Sequence, residues 1–142
     1  MLKYLLILLL LTGSLMGCES MQRSPAMTQL VVNQVIGRYI QTADDWPEKA
    51  LRVERVLTSV QDAASGELVT VTVLKQVVLD HIGSSDLTPV DSQLAIDATG
   101  LVGFELERLV GDGVLDPDDT VTVRQFLAWA IQATKPYQRL AP

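Results

Sequence analysis

Apolar positions recur along this chain at helical spacing, and they mark out most of its elements. Val32, Val35, Ile36, Tyr39, Ile40 and Ala43 follow one another at three- and four-residue steps, which predicts an amphipathic helix beginning near Thr28. Asp45-Trp46-Pro47-Glu48 has the form of a capping box. The helix it opens places Val53, Val56, Leu57, Val60 and Ala64 on one side, with Lys49, Arg52, Glu54 and Arg55 elsewhere, and Ser65-Gly66 closes it. Thr88-Pro89-Val90-Asp91 is a second start signal, with a cap, a proline in the first turn and an acid three residues on. The helix it starts, to about Val110, is apolar on more than one side and is expected to be central and enclosed. Within it, Gly100 and Gly103 would let another helix approach closely. A last helix is expected from Thr120 or Thr122, carrying Val123, Phe126, Leu127, Ala130 and Ile131 and ending at Lys135-Pro136.

Between these lies an ambiguous stretch, Val69 to Ile82. Thr70-Val71-Thr72-Val73 alternates like a strand, yet Val71, Leu74, Val78 and Ile82 keep helical spacing. The helix, capped by Thr70 or Thr72, is the favoured reading because no partner strand with turn chemistry lies nearby; the strand is the alternative. This segment resembles Thr120 to Ile131, as a degenerate duplication or as two independently capped amphipathic helices would. The pattern predicts an all-α domain, a bundle of four to five helices spanning residues 28–142.

The N-terminus follows a different rule. Lys3 precedes an unbroken apolar run from Tyr4 to Leu11, and Thr12-Gly13-Ser14 breaks it. A membrane span needs about 20 apolar residues, so a secretory leader over residues 1–17 is the better reading. Leu15-Met16-Gly17-Cys18, which ends in the chain's only cysteine, resembles the lipobox of bacterial lipoprotein precursors. That resemblance implies cleavage between Gly17 and Cys18, with lipid attached to the Cys18 thiol. It also implies a bilayer as partner, and Glu19 in the following position favours the periplasmic face of the outer membrane over the inner membrane. Residues 18–27 would be a polar tether.

Composition narrows the function. Cleavage would remove Lys3 and no acid, taking the formal charge from −6 to −7, which does not suit nucleic acid. With one cysteine no intrachain disulfide can form, so packing alone must hold the fold. Free His and Cys ligands are too few for a metal site, and no cofactor is expected. The acidic loop Asp112, Asp116, Asp118 and Asp119 fails the calcium-loop pattern in either register and suits the positive end of a following helix instead. His81, the only histidine, has no serine or cysteine nucleophile motif near it and reads as a surface residue; an enzyme would have to be built around it. Trp46 is expected to pack at its helix start. Trp129 falls off the Phe126–Ala130 face, which makes it a candidate interface anchor that Tyr137 could cover.

The Lys49-to-Val60 helix, Leu87-Thr88-Pro89-Val90-Asp91 and Gly111-Asp112-Gly113-Val114-Leu115-Asp116-Pro117-Asp118 are similar to segments of small lipoproteins of tailed phages and prophages. This implies a non-catalytic binding or structural module of the envelope with an envelope protein as partner, or a superinfection-exclusion or lysis lipoprotein.

Overall fold

A computed structural model describes residues 25–66 and 68–139. The leader, Gly17, Cys18 and the first part of the tether lie outside the described residues. Five helices make up the fold: α1 (Pro25–Gln41), α2 (Trp46–Ala63), α3 (Val71–Ser84), α4 (Pro89–Val110) and α5 (Pro117–Gln138). No strand occurs among the described residues, so the ambiguous segment is helical. Helix α1 begins at Pro25, inside the stretch assigned to the tether.

Local chemistry sets most of the boundaries. The Asp45 side chain accepts a hydrogen bond from the Glu48 N–H at 3.0 Å, Thr70 from Val73 at 3.2 Å and Thr88 from Asp91 at 3.2 Å. Helix α5 departs from expectation at both ends. Asp116 is its cap: the Asp116 carboxylate accepts from the Asp119 N–H, and Asp119 accepts in return from the Asp116 N–H. Pro117 fills the first helical position, where an N–H would have no partner. Thr120 therefore lies inside the first turn, donating its hydroxyl to the Asp116 carbonyl, whereas Thr70 is a true cap. The likeness between the two threonine-rich stretches does not extend to equivalent positions. At the other end the helix runs through Pro136 to Gln138. The side chains of Lys135 and Gln138 both donate to Glu54 on α2, tying down this last turn.

The helices run up and down. Leu115 donates its N–H to the Val69 carbonyl at 2.8 Å, which joins the α2–α3 and α4–α5 loops at one end, beside the start of α1. At the other end, Lys49 at the start of α2 meets Asp91 at the start of α4, and Tyr137 packs against Gly37 and Trp46. Helix α5 pairs with α1 and α2, and α4 with α3 and α1. The core is Val32, Ile36, Ile40, Val60, Val71, Leu74, Leu106, Val123, Phe126, Leu127 and Ala130 with their neighbours. Among the described residues the packing lies between Thr28 and Tyr137, so residues 19–142 contain every described part of the packed unit.

Two expectations about burial fail. Helix α4 is not enclosed: only Ala95, Gly103, Glu105 and Leu106 are buried, while Val90, Leu94, Ile96, Leu101 and Phe104 face outward. Four other helices cannot cover every side of it, and α2 does not pack against it closely. Lys49, assigned to the polar side of α2, is buried, because its ammonium finds Asp91 and Thr42 and lies 4.0 Å from the Tyr39 ring centroid. The glycines divide. Gly103 gives up its side chain to the aliphatic stem of Lys75 from α3, whereas Gly100 faces open space.

Candidate functional site

Where α2 diverges from α3 and α4, the bundle leaves an apolar slot of about 140 Å³. Val53, Val56 and Leu57 form one wall, Leu74, Val78 and Ile82 another, and Ala95, Ala98, Val102 and Leu106 a third, with Phe126 and Leu127 at the base. These are the apolar faces that periodicity assigned to the core. Val53, Val56, Leu57, Val78 and Val102 are nonetheless only half-buried, because the slot runs between them. The slot opens to solvent along one side, so its aliphatic walls are left in contact with water instead of with one another.

Among the described residues no carboxylate lines the slot; its charged lining residues are Lys49, Arg52 and Lys75. Lys75 reaches Glu107 at 2.7 Å and Lys49 reaches Asp91, so both contribute mainly their methylenes. Arg52 sits in an exposed pair with Glu48 at 3.2 Å, a contact worth little. His81 and Ser85 complete the polar edge near the α3–α4 loop.

His81 is half-buried rather than on the open surface, and its Nδ1 lies 2.8 Å from the Val77 carbonyl, which requires Nδ1 to carry a proton. Trp129 is half-buried. Tyr137 packs edge-on to Trp46, with centroids 6.1 Å apart. Among the described residues, no group of three or more His, Cys, Asp or Glu side chains is arranged to hold a metal, and no helix is long and apolar enough to cross a membrane.

On the other side of α4 lies a second, shallower groove of about 310 Å³, between α4 and α1. Val31 and Val35 face Leu94, Ala98 and Leu101 across it, and Arg38 and Asp97 stand on its two walls. Ala98 lines both spaces, so α4 is the partition between an inner slot and an outer groove. The apolar positions were legible in the sequence. That α4 would be a partition was not, since its broad apolar surface is equally compatible with full enclosure.

Tyr39 borders both spaces. Burial pushes its hydroxyl up to about 12, with the Asp91 charge adding and Arg52 opposing. The unfolded chain would ionise first, near 10, so this contribution is intact below pH 10 and is lost as pH rises toward 12. Urea denaturation across that window should show a decline that Tyr39→Phe largely removes, held to about 1 kcal/mol because solvent screens a half-buried hydroxyl.

Comparison with known protein families, with characterised proteins and with solved structures finds no match.

Proposed function

We propose that this chain is a bacterial lipoprotein whose helical domain works by docking a partner, not by catalysis. In this reading the leader is cut before Cys18, the thiol is acylated, and the domain stays on the periplasmic side of the envelope, at the outer membrane. The start of α1 shares its end of the bundle with the α2–α3 and α4–α5 loops, where Leu68 and Val114 are exposed. That end would lie nearest the bilayer, leaving the sides of the bundle free.

The observation that carries the docking reading is the outward apolar face of α4. Leu94 and Leu101, one helical repeat apart, stand beside Val31 and Val35 of α1 to form a groove with an apolar floor. Contiguous exposed apolar surface of this kind is characteristic of interaction sites. Its spacing fits an amphipathic helix laid along the groove, with Arg38 and Asp97 available to opposite charges on its flanks. The partner is then a helix of an envelope protein.

Mass spectrometry of the protein from cells should find an N-terminus at Cys18 bearing lipid, and Cys18→Ala should leave it unacylated. A photo-crosslinker at Leu101 should then map to one amphipathic helix of one envelope protein, and Leu94→Glu should reduce that adduct at least tenfold. An uncut or unmodified N-terminus would defeat the anchoring. Crosslinks unaffected by Leu94→Glu would defeat the docking.

A further inference from the structure

We infer that the inner slot is a binding site for the alkyl chain of an anionic single-chain amphiphile, such as a fatty carboxylate. The inference concerns a different surface from the outer groove and does not depend on what docks there.

Three observations combine. The slot is lined almost wholly by aliphatic side chains, and at about 140 Å³ it is close to an engineered apolar cavity of about 150 Å³ that admits benzene. It therefore holds about six carbons, and its open side lets a longer chain emerge. Solvent-facing aliphatic walls between faces suited to close packing are what a ligand's chain would cover. Finally, among the described residues the slot's charges are all basic, in a chain of net charge −6. The carboxylates that neutralise Lys49 and Lys75, those of Asp91 and Glu107, are not part of the lining.

Arg52 is the residue placed to take the head group. Its guanidinium is exposed at the edge of the slot and can exchange the weak, solvent-screened contact with Glu48 for a two-pronged bond to a carboxylate. His81 and Ser85 lie along the same edge and offer further polar atoms, with the His81 Nδ1 proton already given to Val77. A neutral chain would gain the apolar slot but nothing from Arg52. A diacyl lipid would bring a second chain for which the slot has no room.

The test uses residues 19–142 in detergent-free buffer, checked for helicity and cooperative unfolding, with straight-chain carboxylates and the matching alcohols as titrants. From propionate upward each added methylene should tighten binding about fourfold until the chain fills the slot at about six carbons, after which affinity should level off. Decanoate should bind at least tenfold more tightly than decanol, and Arg52→Gln should erase that difference while leaving decanol unchanged. Val56→Phe, which fills the slot, should abolish binding of both without lowering the melting temperature. If it fails to fold, Val78→Phe on the opposite wall serves the same purpose. Equal binding of decanoate and decanol would overturn the anionic class and keep an apolar site. No binding of either would overturn the site itself, and neither result would touch the outer groove, which the Leu101 crosslink tests separately.

Discussion

Replacing Phe126 with alanine should destabilise the domain by about 3–5 kcal/mol, measured by urea denaturation. Phe126 has no solvent exposure and is the largest of the fully buried side chains. It belongs to the packed core and also forms part of the base of the inner slot. Truncation would therefore enlarge an existing void instead of opening a small one that neighbours could close. With stabilities of small domains near 5–15 kcal/mol, the loss could consume most of the reserve. Val121→Ala on the same helix, two-thirds exposed, should change stability by no more than about 0.5 kcal/mol. Comparable losses at both positions would show that Phe126 is not part of a packed core.

Asp91→Ala should cost about 3 kcal/mol, although Asp91 itself is partly exposed. Its partner decides the effect. The Lys49 side chain is only 6% exposed, and Asp91, at 2.5 Å, is its only carboxylate partner among the described residues. Without Asp91 the ammonium would keep the Thr42 hydroxyl and the Tyr39 ring, which places the cost at the lower end for a broken buried pair. Asp91 also stands in the first turn of α4, where a negative charge is favourable. Lys49→Met, which removes the buried charge and keeps the stem, should be nearly neutral and should recover most of the loss when combined with Asp91→Ala. A double variant no more stable than Asp91→Ala alone would place the cost in α4 and not in the stranded ammonium.

The pair also shows where reading the chain as a string runs out. Asp91 was recognised as the acid of a helix start, and it is one, but its second role depends on a residue 42 positions away. Lys49 looked like an ordinary member of a polar face. Only the approach of α1 and α4 encloses it. The case of α5 is different, because its start was encoded locally. Asp116-Pro117-Asp118-Asp119 carries both a cap and a first-turn proline, and the two threonines behind it were a competing signal of the same kind. Reciprocal bonding between Asp116 and Asp119 prevails because it satisfies two end groups together.

The sequence by itself determined the helical class and the starts of α2, α3 and α4, since apolar period and capping side chains act over four residues or fewer. It also set the apolar identity of the slot walls. The tertiary structure alone decided that α4 faces outward on one side and that α2 stands off from it. It likewise decided that a lysine is buried and that an apolar slot lies beside Arg52. Those outcomes depend on how five helices share too little surface to cover one another, a property of their mutual packing that no single helix carries.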